Sequence, residues 1–183
     1  MRPAKFSPQT IFYLAAVSLI FYLIFFFWLE PSGEKLAADE LEAARLMQEA
    51  EKEIYSCQQN VGLLPEKNPF DPMKTGLIGL ESSPLTTTLG QLEAKRTTTN
   101  PAMAALLVRL LRQAGVEKGQ VVAADASSSF PALIVATYCA TRAMGVDLLA
   151  IVSIGSSQWG ANQPEFSWLS MENCLRQAGF NQH

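Results

Sequence analysis

The longest apolar run in the chain extends from Ile11 to Leu29, nineteen residues without a charged side chain. A helix of this length spans most of the hydrocarbon core of a bilayer, which is about 30 Å thick. Arg2 and Lys5 precede the run and acidic residues follow it, so the positive-inside rule predicts a signal anchor. We expect residues 1–10 in the cytoplasm and everything after the membrane span at 11–29 outside it. A cleaved signal peptide and a buried core helix are the alternatives.

The next segment, residues 30–59, has the composition and charge pairing of a helix. It is rich in Ala, Glu, Leu and Lys, and Lys35 and Asp39 carry opposite charges four residues apart. We predict a helical stalk, which either forms a short coiled coil or is solvated or packed against its own domain. The candidate seam repeats at intervals of four and three residues and consists of Ala43, Met47, Ala50, Ile54 and Cys57. A linker rich in proline is predicted to follow at residues 60–73.

From residue 74 onward, short apolar runs alternate with amphipathic segments that end at glycine. The predicted strands are Gly76–Leu80, Val121–Ala126 and Leu148–Ile154. Because these runs are apolar at nearly every position, we expect strands that are covered on both faces. The alternation of strands and helices predicts an α/β fold with a parallel sheet, a partial three-layer, Rossmann-like domain over residues 74–183.

The first helix of this domain has the clearest boundaries. Asn100 is a typical cap, Pro101 suits the first helical position, and Gly115 marks the end. The face predicted to meet the core consists of Met103, Leu106, Leu107, Leu110, Leu111 and Ala114. Two further helices are predicted, from Phe130 to Met144 and from Ser167 to Ala178, and each is followed by glycine.

The C-terminus resembles an interrupted repeat of the preceding pattern. Leu110–Val116 reads LLRQAGV and leads into a strand, whereas Leu175–Phe180 reads LRQAGF and leads to three final residues. A three-stranded sheet with a fully apolar edge is poorly protected against other chains. We therefore expect either a truncated member of a longer family or a sheet edge that a partner completes.

Charge and cysteine content narrow the function classes. Residues 30–183 contain 12 Lys and Arg against 17 Asp and Glu, a formal charge of −5, so no nucleic-acid partner is expected. The three cysteines, Cys57, Cys139 and Cys174, have no CxxC spacing and are predicted to be buried thiols rather than a disulfide or a metal site. His183 is the sole histidine, which excludes a Ser-His-Asp mechanism and a histidine zinc site within this chain. No GxGxxG or Walker A sequence occurs, so no nucleotide cofactor is predicted. Because the cysteines and the single histidine form no ligand cluster, no metal is predicted either.

Three loops rich in hydroxyl groups follow the predicted strands, where α/β folds place their sites. We expect these loops to converge and, with the charges of Lys95 and Arg96, to hold a carboxylate or a phosphate. The alternative is that each loop is an ordinary helix cap or turn, and that Trp159 is a packing lid rather than a ligand platform. The predicted ligand-binding residues are Lys95, Arg96, Thr86, Thr87, Ser128, Ser129, Ser156 and Ser157.

A serine nucleophile with a lysine base is a second possibility at the same loops. Ser127, Ser128 or Ser129 is the candidate nucleophile, and Lys95 is the candidate base if burial lowers its pKa. The alternative is that Lys95 is a surface residue beside Arg96. Elsewhere in these loops, Glu81 and Asp125 form either a carboxylate pair or separate helix caps.

The stretches Thr75–Pro101, Ala126–Thr137 and Ser153–Trp168 resemble the poly-gamma-glutamate system protein family. Members of this family accompany the bacterial ligase and membrane components that produce poly-gamma-glutamate capsules, and they continue well past the end of this chain. The resemblance implies a truncated member with three partners: the membrane components of the synthase, an anionic polymer or γ-glutamyl ligand, and the lipid bilayer. It implies a process but supplies no catalytic residues.

Three functional hypotheses follow from the residues and the resemblance together. The first is a membrane-anchored accessory component of poly-gamma-glutamate synthesis or export that binds γ-glutamyl carboxylates at Lys95, Arg96 and the hydroxyl loops. The second is an enzyme of the Ser-Lys type that hydrolyses or transfers γ-glutamyl amides. The third is a scaffold without catalytic activity that gathers the membrane synthase.

Overall fold

The computed structural model describes residues 7–28, 35–63 and 68–180. It divides into two compact units, Met1–Lys35 and Leu36–His183, and each is described by itself. Several predicted features fall on residues outside the described ranges, namely most of the cytoplasmic segment, the residues directly after the apolar run, and the only histidine.

The first unit contains one helix, α1, which extends from Pro8 to Trp28. Its large apolar side chains are exposed to solvent. Residues Pro8–Phe27 are long and apolar enough to cross a membrane, with a mean hydropathy of 2.4. The predicted N-terminal apolar helix is therefore present.

The second unit is a mixed domain of helices and small sheets. Its helices are α2 (Ala38–Asn60), α3 (Leu92–Thr98), α4 (Ala102–Gln113), α5 (Pro131–Met144) and α6 (Trp168–Gln177). Its strands are β1 (Thr86–Thr88), β2 (Val121–Ser127), β3 (Asp147–Ser153), β4 (Ser156–Ser157), β5 (Asn162–Gln163) and β6 (Phe166–Ser167). Strand β1 pairs with β4 and β2 with β3, both in parallel, whereas β5 and β6 are antiparallel. The parallel pairs fit a partial α/β fold.

Helix α2, which was predicted as a stalk, is the central helix of the domain. The stripe predicted as a coiled-coil seam is buried, and Ala43, Met47, Ala50 and Ile54 are each 0% exposed. These side chains pack against α4, α5 and α6. Of the two alternatives, packing against the chain's own domain is therefore the one observed for residues 38–60. The 4-3 spacing predicted which face of the helix is buried, but it did not identify the helices that cover that face.

The start of α2 is joined to α4 by ion pairs. Glu40 is 2% exposed, and Arg109 Nε and Arg112 Nη1 each donate to its Oε1 atom at 3.2 Å. The neighbouring Asp39 carboxylate accepts from Arg112 Nη2 at 2.6 Å. The hydrogen bond from Arg109 lowers the pKa of the Glu40 carboxyl below its ordinary value, against the opposing effect of burial.

The two longer predicted strands are confirmed, but the first is wrong. Strands β2 and β3 pair in register from Val121 opposite Asp147 onward. Residues 76–80 form no strand of this sheet. They run extended beside the loop after β3, where Gly79 N donates to Trp159 O at 3.1 Å and Trp159 N to Leu80 O at 2.9 Å. The short apolar run there is buried against α2 rather than within a sheet.

The central sheet is covered by helices on one face only. Val121, at the start of β2, is 68% exposed, and Leu149 and Ile151, within β3, are 61% and 66% exposed. Alternate residues such as Leu148 face the helices and are buried. The expectation that both faces are covered is therefore wrong for the described residues. A run of apolar residues predicts that both faces of a strand are buried, but it does not identify the element that covers each face.

The helix boundaries agree with the sequence better than the helix faces do. Asn100 Oδ1 accepts the N–H of Ala102 at 2.9 Å, and Gly145 ends α5 with a left-handed φ of 65°. The predicted core face of α4 is rotated, because Leu106 and Leu110 are 44% and 48% exposed. The small residues Ala104, Ala105 and Val108 are buried instead, since they allow close approach to α2 and α5.

The cysteine prediction is wrong for two of the three residues. Cys57, in the last turn of α2, forms a disulfide with Cys174 of α6, and their Cα atoms are 6.3 Å apart. Cys139 is a buried free thiol, as predicted, and burial raises its pKa to about 12. The disulfide joins residues 117 positions apart, so local spacing could not reveal it. It follows instead from the packing of α6 on α2.

Candidate functional site

The three hydroxyl-rich loops lie together, as predicted. Strands β1 and β4 place Thr86 opposite Ser156 and Thr88 opposite Ser157. The loop after β2 joins this pair, because the Ser156 hydroxyl donates to the Ser128 carbonyl at 3.0 Å. Convergence follows from topology, since both loops leave the carboxyl ends of neighbouring parallel strands.

Lys95 lies at the centre of this cluster. Helix α3 directs its side chain inward, where it is 2% exposed. Its Nζ atom donates to Ser157 Oγ at 2.8 Å and also to the carbonyl oxygen of Ser129. The same atom lies 3.5 Å from the centroid of the Phe130 ring, a cation–π contact. The interpretation of Lys95 as a surface residue is therefore wrong.

The charge on Lys95 is poorly compensated. Among the described residues, no carboxylate forms an ion pair with it, and its polar contacts are neutral oxygen atoms. Desolvation by burial lowers the pKa of the Lys95 ammonium to about 8. A substantial fraction of this lysine is therefore a neutral amine close to physiological pH, which is the state that accepts a proton.

Ser157, rather than Ser127, Ser128 or Ser129, is the hydroxyl that Lys95 reaches. Ser157 is 5% exposed, and its N–H donates to the Ser129 hydroxyl at 3.0 Å. Ser127 lies on the exposed face of β2, and the fully buried Ser128 donates to the backbone at the end of β3. Of these three serines, Ser129 contacts Lys95 through its main-chain carbonyl, and none of the three forms a hydroxyl hydrogen bond with the lysine.

Arg96 does not join Lys95 in an anion site. Its Nε atom donates to Phe70 O at 3.0 Å, its Nη2 atom to Pro69 O at 2.8 Å, and its Nη1 atom to Glu93 at 2.6 Å. Neighbouring residues on a helix project about 100° apart, so the two cations serve different surroundings. The predicted carboxylate site that used both charges is not assembled.

The remaining predicted ligand-binding hydroxyls are also engaged within the loops. Thr86 Oγ1 accepts from Asn162 Nδ2 at 2.9 Å, and Thr87 Oγ1 donates to Ser156 O at 3.2 Å. Ser128 Oγ donates to a main-chain carbonyl. These groups hold the loops in place, which is the alternative that the sequence left open.

Asn162 is a site residue that sequence reasoning missed. It is 0% exposed, its Oδ1 accepts from Leu80 N at 2.8 Å, and its Nδ2 donates to Leu80 O at 2.8 Å. Together with Thr86 this amide joins two loops that are remote in sequence. The only sequence sign is its position shortly after the glycine of the third loop.

A thin cover separates Ser157 from solvent. Gly90 lies against it, because a Cβ atom on Gly90 would be 3.3 Å from Ser157 Oγ and 2.5 Å from Gln158 O. The Gly90 N–H donates to Gln158 Oε1 at 3.1 Å, whereas the adjacent Leu89 is 82% exposed. Trp159 is mostly buried and packs on Phe70, with ring centroids 4.6 Å apart, so the prediction of a lid fits better than that of an exposed platform.

An apolar groove of about 280 Å³ adjoins the cluster. It lies between α5 and the inner face of the β2–β3 sheet, and Phe130 borders it. The Phe130 ring therefore contacts the Lys95 ammonium and also lines the groove. Glu81 and Asp125 are both exposed and form no hydrogen bond with each other, so no carboxylate pair is present there.

The described residues contain no group of three or more His, Cys, Asp or Glu side chains that could hold a metal ion. The chemistry available at the cluster is that of one hydroxyl and one amine. Among protein-family models, curated proteins and solved structures, none matches this chain.

Proposed function

We propose that this chain is a membrane-anchored component of poly-gamma-glutamate synthesis or export, and that its domain hydrolyses or transfers γ-glutamyl amides through Ser157 and Lys95. The observation that carries the proposal is the 2.8 Å hydrogen bond between Ser157 Oγ and a buried lysine that lacks an ion pair among the described residues. The identity of the polymer is inferred from the sequence resemblance, and the type of reaction is inferred from the hydroxyl–amine pair.

In the proposed reaction, neutral Lys95 accepts the hydroxyl proton while Ser157 Oγ attacks the amide carbonyl carbon. The tetrahedral intermediate collapses with cleavage of the carbon–nitrogen bond, and the Lys95 ammonium gives its proton to the leaving amine. Water or a second amine then attacks the ester carbonyl carbon and gives a proton to Lys95. The bond between that carbon and Ser157 Oγ breaks, and the Lys95 ammonium returns the proton to the serine oxygen. Water gives hydrolysis, and an amine gives transfer.

Substrate access requires the cover over Ser157 to move. The cover is the segment around Gly90, which is held to the third loop by hydrogen bonds from Gly90 N to Gln158 Oε1 and from Gln158 N to Thr88 O. Leu89 projects into solvent and places no apolar side chain in the core. Opening of such a segment is an ordinary gating motion on the microsecond to millisecond timescale.

The proposed location is the outer face of the membrane, with the N-terminus in the cytoplasm. Arg2 and Lys5 before the apolar helix favour this orientation. The disulfide between Cys57 and Cys174 supports it independently, because disulfides persist in oxidising compartments and are rare in the cytosol.

The test is turnover of a short γ-glutamyl oligomer by the full chain in detergent micelles. Ser157→Ala and Lys95→Ala are each expected to lower the rate by about 100-fold or more. Ser127→Ala, an exposed serine of the same loop, is the matched control and should keep the wild-type rate. Turnover that survives in either of the first two variants would remove the proposed mechanism.

A scaffold role is a second candidate, favoured by the open face of the central sheet. We propose that a membrane component of the synthase covers Val121, Leu149 and Ile151 and so supplies the missing layer of a three-layer, Rossmann-like arrangement. Ile151→Asp should abolish co-purification with that component. Leu169→Asp, on the exposed side of α6, should not. Equal co-purification of both variants would contradict the scaffold role.

A further inference from the structure

A second cavity, of about 600 Å³, lies apart from the Ser157 cluster and has a polar lining. Its volume is in the range of small-molecule sites, about 300 to 1,000 Å³. It is open to solvent and is bordered by α2, the turn at residues 71–76 and the region between α3 and α4. The lining residues used below are Glu51, Lys52, Lys74, Thr75 and Arg96.

Glu51 is an acid buried without a partner. It lines the cavity, is 8% exposed, and its Oε1 atom has no hydrogen bond to any described group. Burial and the nearby Asp71 carboxylate raise the pKa of Glu51 to about 8. Buried carboxyl oxygens in proteins normally have a donor, so an unsatisfied oxygen on a side chain that lines a cavity indicates a missing donor.

The same cavity is bordered by cations. Lys52 and Lys74 are exposed, and neither forms an ion pair within the described part of the chain. The Arg96 guanidinium adds positive charge beside them, although its donors already contact main-chain carbonyls and Glu93. The lining therefore combines an acid that lacks a donor with ammonium groups that lack an anion.

The turn that presents Lys74 is firmly built. The Asp71 carboxylate accepts the N–H of Thr75 at 3.1 Å and that of Gly76 at 2.7 Å. Lys74 itself has a φ of 56°, a left-handed conformation that is uncommon for a residue other than glycine. Because the oxygen atoms of Asp71 are occupied by these donors, they are not free to complete a metal site with Glu51.

We propose that this cavity binds the zwitterionic end of an amino acid, with its ammonium group on Glu51 and its carboxylate at Lys52 and Lys74. The ammonium group supplies the donors that Glu51 lacks, and the carboxylate supplies the anion that the two lysines lack. A hard metal ion fits less well, since Ca²⁺ takes about six to eight oxygen ligands.

Two sources carry this chemistry, namely a free amino acid and the free amino end of a γ-glutamyl chain, which bears both an α-ammonium and an α-carboxylate. The second source rests on the proposed function, whereas the zwitterion site does not. A site for the chain end would hold the polymer away from Ser157 while another part of it reacts.

The test is calorimetric titration of the full-length Ser157→Ala protein in detergent micelles, in which no substrate is consumed. The ligands are L- and D-glutamate, a short γ-glutamyl oligomer, and the same oligomer with an acetylated amino end. We expect acetylation to weaken binding by about tenfold or more, because it removes the ammonium group. Tighter binding of the oligomer than of glutamate would identify the chain end as the source, and the reverse would identify the free amino acid.

Matched variants locate the site. Glu51→Gln is expected to weaken binding by about tenfold, whereas Glu53→Gln, an exposed acid on the same helix, should leave it unchanged. Lys74→Asn tests the carboxylate contact through an exposed residue and should weaken binding by about threefold or more, even where Glu51→Gln fails to fold. Equal affinity for the acetylated oligomer, or no loss in Glu51→Gln and Lys74→Asn, would overturn the proposal. Wild-type protein that binds but shows no turnover would refute the proposed reaction and leave this site standing.

Discussion

Removal of the disulfide between Cys57 and Cys174 is expected to lower the free energy of unfolding substantially. The bond closes a loop across a sequence separation of 117 residues, and so restricts the unfolded chain strongly. The loop-entropy relation gives about 5 kcal/mol for a loop of this length. Because small domains are stable by only about 5 to 15 kcal/mol, a loss of that size leaves a marginal fold.

The assay is unfolding of the full chain in guanidinium chloride, followed by the fluorescence of the domain tryptophans. The Cys57→Ser, Cys174→Ser double variant should unfold at a much lower denaturant concentration than the oxidised protein. Wild-type protein in excess reductant should behave as the variant does. Cys139 provides an internal check, since it is buried and should be the single thiol that labels in oxidised, denatured protein.

Two results would refute this reasoning. An unchanged midpoint in the double variant would show that the bond does not restrain the unfolded chain. Three reactive thiols in denatured protein purified without reductant would show that the bond does not form in the cell, and would remove one support for the proposed location outside the cytoplasm.

Three further measurements test the charges of the domain. The free energy of unfolding should pass through a minimum near pH 8, about 1 kcal/mol or more below its values on either side. On the acidic side it falls as pH rises towards the folded pKa of Glu51, about 8, because the buried carboxyl loses its stabilising proton. On the basic side it rises above about pH 8, because the buried Lys95 loses its charge. Glu51→Gln should flatten the acidic limb of that curve, and an unchanged limb would contradict the assignment. Glu40→Ala should lower the free energy of unfolding by about 2 kcal/mol, since it removes a buried carboxylate that accepts hydrogen bonds from Arg109, Arg112 and the N–H of Ala37. Glu42→Ala removes an exposed pair and should cost about 1 kcal/mol at most, so equal losses in urea unfolding would count against the buried network.

The sequence predicted most of the elements, because helix ends and apolar periods are local properties. The glycine at position 145 ends its helix as expected, and the two long strands are where their apolar runs indicate. The role of α2 was not predictable in the same way. A stripe of small and apolar residues at helical spacing is common to coiled coils and to central helices, and the difference lies in partners more than 50 residues away.

At the candidate site, too, local sequence predicted some features, whereas others depend on contacts between residues distant in sequence. Convergence of the loops after β2 and β3 followed from the parallel pairing of those strands, whereas the loop after residue 80 joins them without a preceding strand. Lys95 was recognised as a candidate base. The hydroxyl that contacts Lys95 is that of Ser157 and not that of Ser127, Ser128 or Ser129. The parallel pairing of β4 with β1 positions Ser157, and no local sequence pattern predicts that pairing. Glu51 was not singled out, although it lies four residues after Met47 and three before Ile54, on the buried face of α2. Glu49 and Glu53, on the other face, are exposed.

Lys95 provides the sharpest distinction between a functional and a structural role for the cluster. A buried ammonium that lacks a carboxylate partner among the described residues destabilises the folded state. The same desolvation lowers the pKa of Lys95 to about 8. Lys95→Met keeps the length and apolar volume of the side chain and removes the charge, so we expect it to stabilise the domain by about 1 to 3 kcal/mol at neutral pH while abolishing turnover. Lys118→Met, at an exposed lysine away from both sites, should change neither quantity by much. If Lys95 served only to hold the loops through Ser129 and Ser157, its removal would destabilise the domain, and thermal unfolding of the two variants would show a fall where the proposed base predicts a rise.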